Sequence, residues 1–159
     1  MFKPCIAIFF CILSSCATKF YIVRHAEKEI QIADMSSDVE LSDKGEERAE
    51  ALKKALRNKN IRHIFSTNYI RTIATAKPLS EAIGVSTLHY DPKDTAFISM
   101  IKSLHANALI VGHSNTVDDI VNGLTGAGLN DLTDTQYGDL FIVTRKGDKY
   151  ILRQSRFGK

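Results

Sequence analysis

Apolar positions along this chain alternate between two spacings, and the alternation lays out an α/β protein. Phe20-Tyr21-Ile22-Val23 and Ala108-Leu109-Ile110-Val111-Gly112 are unbroken apolar runs, the pattern of strands buried on both faces. Ile61-Arg62-His63-Ile64-Phe65 and Val85 to Tyr90 read as further short strands, with His63 turned outward. Between them apolar residues fall at helical spacing. Ala49, Leu52 and Leu56 mark a helix capped by Ser42, with Asp43, Glu46 and Glu47 at its positive end. Ile70, Ile73, Ala76, Leu79 and Ile83 mark a second helix, stopped by Gly84 and expected to kink or split at Pro78. Phe97, Ile98, Ile101 and Leu104 mark a third behind Asp94 or Thr95, and Thr116 to Leu124 a fourth. The chain closes with Leu140–Thr144 and Tyr150–Leu152 around a turn at Lys146-Gly147-Asp148. That hairpin makes the sheet mixed instead of purely parallel. Residues 30–40 and 123–134 lack a period and read as loops.

Bulk properties narrow the class without naming a function. The 159 residues suit one domain, and 44% hydrophobic with 25% charged content is ordinary for a globular chain. A net charge of +3 without a basic run leaves no nucleic-acid footprint, so no nucleic-acid partner is expected. The three cysteines, Cys5, Cys11 and Cys16, all lie in the first segment. There Lys3 precedes an apolar run to Leu13 and the small residues Ser14-Ser15, the layout of an export signal over residues 1–15. The apolar run falls short of the ~20 residues that span a bilayer. Leu13-Ser14-Ser15-Cys16 is similar to the bacterial lipoprotein box, which implies lipidation of Cys16 and residues 16–18 as a short tether. The expected location is then the bacterial cell envelope, anchored to a membrane through Cys16. A periplasmic or secreted soluble protein is the alternative.

The chemistry gathers where the strands end. Phe20–Val23 breaks into Arg24, His25, Glu27 and Lys28, and Ala108–Gly112 runs into His113. Ligand groups of an open α/β sheet stand at the carboxyl ends of strands. Arg71 falls in the first turn of a helix, where free N–H groups already favour an anion. Arg24, His25, Arg71 and His113 around one point offer many donors and few acceptors, a set that suits a phosphoryl group. It does not suit a metal, because arginines repel a cation; no metal or other cofactor is expected. A neutral imidazole is also a competent nucleophile towards phosphorus.

These motifs resemble those of the histidine phosphatase superfamily, which includes the phosphoglycerate mutases. Val23-Arg24-His25-Ala26 is similar to its Arg-His-Gly signature. Ser66-Thr67-Asn68-Tyr69-Ile70-Arg71-Thr72-Ile73-Ala74-Thr75-Ala76 resembles its second block, and Val111-Gly112-His113-Ser114 its third. Leu41-Ser42-Asp43-Lys44-Gly45 matches the helix start between the first two blocks. The resemblance implies a three-layer α/β/α fold of phosphoglycerate mutase type over residues 19–159. It implies His25 as the phosphorylated nucleophile and Arg24, Arg71 and His113 as the phosphate pocket. The substrate would be a phosphorylated small molecule or a phosphoprotein, hydrolysed as a phosphomonoester or phosphoramidate, and the chain resembles the compact phosphohistidine phosphatases. Two departures stand out. Ala26 replaces the motif glycine, and neither family position for a general acid is filled, since the segment after the third strand is short and Ser114 follows the second histidine. Glu27, Asp91 and Asp118 are the candidates for that proton donor. The alternative is a surface lipoprotein that captures a phosphorylated ligand without turnover.

Overall fold

The computed structural model describes residues 17–29 and 38–158. The export signal, Cys16 and most of the first loop lie outside the described residues. Ten elements follow in order. These are β1 (Thr18–Arg24), α1 (Asp43–Leu56), β2 (Ile61–Ser66), α2 (Ile70–Ile83), β3 (Thr87–His89), α3 (Ala96–Ser103), β4 (Asn107–Gly112), α4 (Val117–Thr125), β5 (Asp139–Lys146) and β6 (Lys149–Arg156).

The strands form one six-stranded sheet in the order β3-β2-β4-β1-β5-β6. β3, β2, β4 and β1 run parallel, while β5 and β6 add antiparallel at one edge. The sheet is therefore mostly parallel and mixed. Alternation along β1 sorts the core onto its two faces. Phe20 and Ile22 pack with Phe97, Ile101, Ile120 and Val121 of α3 and α4. Tyr21 and Val23 pack with Leu52, Leu56, Ala76 and Leu79 of α1 and α2. Those two helical layers around the sheet are the α/β/α sandwich. No helix among the described residues is long and apolar enough to cross a membrane.

Local signals in the sequence mostly match the structure, and the exceptions have physical causes. Ser42 caps α1 by accepting from the Gly45 amide at 3.2 Å, and Gly84 ends α2 in the left-handed conformation. Asp94 Oδ1 accepts from the Ala96 amide at 2.8 Å, whereas Thr95 makes no side-chain cap bond. Pro78 does not split α2, which runs unbroken from Ile70 to Ile83. The buried Thr75, Ala76 and Leu79 around it seat the helix through the missing backbone bond. β3 is shorter than the apolar run suggests. Leaving the edge of the sheet, Tyr90 turns inward and stacks on Phe97, with ring centroids 4.0 Å apart.

Two close approaches position the site. A β-carbon at Gly45 would stand 2.0 Å from the Glu27 carbonyl oxygen, so glycine lets α1 start against the exit of β1. A β-carbon at Gly112 would meet Thr116 Oγ1 at 2.7 Å and the Tyr90 hydroxyl at 2.9 Å, so glycine lets β4 pass under the start of α4.

Candidate active site

β1 and β4 are hydrogen-bonded neighbours, and Arg24 stands in register with Gly112. The residues that follow each strand therefore emerge side by side. His25 and His113 face each other with ring centroids 5.5 Å apart and planes inclined by 64°. Arg24 reaches in from the end of β1 and Arg71 from the second residue of α2. All four line one cavity of about 600 Å³. The four residues expected to meet at a phosphate site do meet.

The backbone around His25 is tied down on every side. Its amide donates to the Gly112 carbonyl at 2.9 Å, and the next amide, of Ala26, donates to Thr75 Oγ1 at 2.9 Å. Thr75 in turn donates to the Arg71 carbonyl at 2.7 Å, linking the turn at His25 to α2. Ala26 is fully buried among Leu41, Ala49 and Ala74 and does not need a positive φ, so its methyl is accommodated where the motif has glycine.

Hydrogen bonds settle the state of both imidazoles. His25 Nδ1 lies 2.7 Å from the Ala26 carbonyl oxygen, which can only accept, so Nδ1 carries the hydrogen. Nε2 is left with its lone pair. His113 Nδ1 lies 3.2 Å from Arg71 Nη2, which can only donate, so the His113 hydrogen sits on Nε2. That hydrogen goes to Thr67 Oγ1 at 2.8 Å, and Thr67 meets Thr72 Oγ1 at 3.0 Å. Burial, helped by Arg24 and Arg71, lowers the pKa of His25 to about 3. Burial and the same two arginines lower that of His113 to about 4. Both rings are therefore neutral at neutral pH.

The arginines are held from behind. Arg24 Nη1 donates to the Thr133 carbonyl at 2.7 Å, and its guanidinium lies 4.3 Å from the centre of the Tyr137 ring. Its Nε is buried and has no hydrogen-bond partner among the described residues, a donor available to a bound oxyanion. Arg71 lies over the Tyr69 ring at 4.6 Å and within 3.8 Å of Asp38 Oδ1. Asp38 also accepts from the Ile70 amide at 2.8 Å, capping α2 at the residue before Arg71.

The candidate proton donors are dispersed. Glu27 is turned away into Arg48, which donates to both of its carboxylate oxygens at 2.6 and 2.7 Å, and Lys44 adds a contact at 3.4 Å. Burial pushes the Glu27 carboxyl up, but these cations outweigh it and hold it below the usual range. Asp91 is exposed and accepts from the Lys93 amide at 2.9 Å, outside the cavity lining. Asp118, in the first turn of α4, is buried, its carboxyl pushed up by burial, and it too lies outside the lining. Sequence reading passed over Thr67, Tyr69, Tyr137 and the Thr133–Asp134 stretch. Thr67 stood inside the second motif; Tyr137 and its neighbours lie where no periodicity marks them.

Comparison with known proteins agrees with this geometry. Residues 20–93 match the model of the histidine phosphatase superfamily, branch 1. No curated protein sequence matches the chain. Among solved structures, a mycobacterial glucosyl-3-phosphoglycerate phosphatase is similar with a TM-score of 0.67 at 13% identity, over 88% of this chain and 98% of that one. The protein histidine phosphatase SixA, complexed with tungstate, is similar with a TM-score of 0.69 at 15% identity, over 87% of this chain and 96% of that one. YhfR of Bacillus stearothermophilus is similar with a TM-score of 0.64 at 16% identity, over 85% of this chain and 95% of that one. At these identities the likeness is one of fold.

Proposed function

We propose, from the match of residues 20–93 to the histidine phosphatase superfamily, that the chain is a phosphatase working without a metal, through a phosphohistidine on His25. One observation carries the reading: His25 is buried and neutral, and its Nδ1 hydrogen is fixed on the Ala26 carbonyl, so Nε2 faces a pocket of cations as a bare nucleophile. His25 attacks phosphorus while the bond to the leaving group breaks; water then attacks the phosphoramidate and frees inorganic phosphate. Arg24 and Arg71 take the peripheral oxygens, and charge building on them is met by fixed donors. The SixA neighbour holds tungstate, a tetrahedral oxyanion, which is the ligand shape this donor set would also accept. Phosphomonoesters and phosphoramidates are both candidate substrates, carried on a small molecule or a protein. Lipidation of Cys16 would place the domain at the bacterial cell envelope.

The test compares the chain with His25→Ala on p-nitrophenyl phosphate and on a phosphoramidate, with and without EDTA. Turnover that persists in EDTA and falls at least about a thousandfold in the variant is expected, since the covalent route needs this nitrogen. Phosphate binding without turnover on either substrate would leave only a ligand-capturing protein.

A further inference from the structure

Ester hydrolysis needs a group that gives a proton to the departing oxygen and takes one from the attacking water. Neither histidine is free for it. His25 Nδ1 is fixed on a carbonyl, and the His113 hydrogen is held by Thr67. Glu27, Asp38, Asp91 and Asp118 do not line the cavity. Among the described residues, Asp134 is the one carboxyl group that does.

We propose that Asp134 is the proton-transfer residue of this site. It stands at the mouth, where a leaving group must lie if phosphorus is to face His25 at the floor. Its Oδ1 is 3.9 Å from Arg24 Nη2, one side chain away from the phosphoryl pocket. The backbone that carries it is pinned to the site. The carbonyl of Thr133 accepts from Arg24, and the Gln136 amide donates back to that carbonyl at 3.0 Å. Gln136 Oε1 accepts from the Thr133 amide at 2.6 Å, and Tyr137 lies edge-on to His25 at 6.1 Å. The side chain itself is fully exposed, so it can exchange its proton with solvent between turnovers.

The steps balance. In the first, His25 Nε2 bonds to phosphorus, the bond to the ester oxygen breaks with its electron pair on oxygen, and the Asp134 carboxylic acid delivers the proton. In the second, water oxygen bonds to phosphorus, the P–N bond breaks with its pair returning to Nε2, and the Asp134 carboxylate takes the water proton. This assignment rests on the phosphatase reading above.

The two are separable by leaving-group dependence. kcat/KM is measured for Asp134→Asn and for the unaltered chain on p-nitrophenyl phosphate and on phenyl phosphate, whose leaving group is the stronger base. A proton donor predicts a loss on phenyl phosphate at least about tenfold greater than on p-nitrophenyl phosphate, with inhibition by inorganic phosphate unchanged or tighter. An equal loss on both esters, or a gain on both from removing a negative charge, overturns the assignment and leaves the phosphatase intact. An unaltered chain inactive on both esters overturns this assignment, and one inactive on the phosphoramidate as well overturns the phosphatase reading with it. Because Asp134 is fully exposed, the variant folds, and a melting curve checks that directly.

Discussion

The hydrogen on one ring nitrogen decides how His113 meets a ligand. Arg71 donates to Nδ1, so Thr67 must accept from Nε2, and the fully buried Thr67 is a positioning residue that locks the ring in that tautomer. Thr67→Val removes the acceptor at nearly constant volume. One neutral hydrogen bond is worth about 1 kcal/mol, so kcat should fall roughly fivefold to tenfold. Thr67→Ser should restore most of it with the melting temperature near that of the unaltered chain. A Thr67→Val enzyme with unchanged kcat would show that Arg71 alone orients the ring. At this scale the sequence was readable for residues that strand ends and a helix start place by rule: Arg24, His25, Arg71 and His113. It misled at Glu27, which lies two residues from His25 in the chain. Two residues past His25 the chain has already turned beneath α1, and its carboxylate faces Arg48 instead of the pocket.

That turn joins two elements. The Glu27 carbonyl accepts from the Ser42 amide at 3.0 Å and its carboxylate grips Arg48, which also donates to the Phe157 carbonyl at 3.1 Å. The exit of β1, the first two turns of α1 and the end of the chain are thereby clamped together. Glu27→Gln removes the charge of the carboxylate that both Nε and Nη2 of the buried Arg48 donate to. A loss of about 2–4 kcal/mol is expected in chemical denaturation at pH 7. The sign with pH follows from the depressed carboxyl. Its stabilisation is present above the usual value of 4.5 and is lost as pH falls below it, so the two proteins should converge in stability in acid. A gap that stays constant from pH 7 to pH 3 would assign the loss to packing. Elements were the most legible level, because burial on one or both faces imposes a period that survives in the sequence. The split expected at Pro78 did not occur there, since tertiary seating on the sheet kept α2 continuous through a local helix breaker. The loop of residues 126–138 was opaque for the opposite reason. Its order comes from Arg24, more than a hundred residues away, and no local pattern records that.

At the scale of the molecule, topology makes the site. β1 and β4 are far apart in the chain and adjacent in the sheet, so two histidines that no local motif connects become neighbours. The order of strands could not be read from the sequence, because the alternation of elements permits several windings; the hairpin at the edge could, because its turn is local. The anchor is tested here too. Cys16→Ala should shift the protein from the membrane fraction to the soluble fraction or leave it unprocessed, and an unchanged fractionation pattern would dispose of the lipid.

β1 begins at Thr18, so a lipid on Cys16 would be joined to the sheet by Ala17 alone. His25 follows the far end of the same strand. Seven residues at about 3.3 Å each put His25 roughly 20 Å along the strand from that attachment point. So short a leash leaves the domain little freedom to tumble over. With β1 upright on the membrane, the phosphates of the lipids beneath would be out of its reach, and its catch would be whatever drifts past in the aqueous space above.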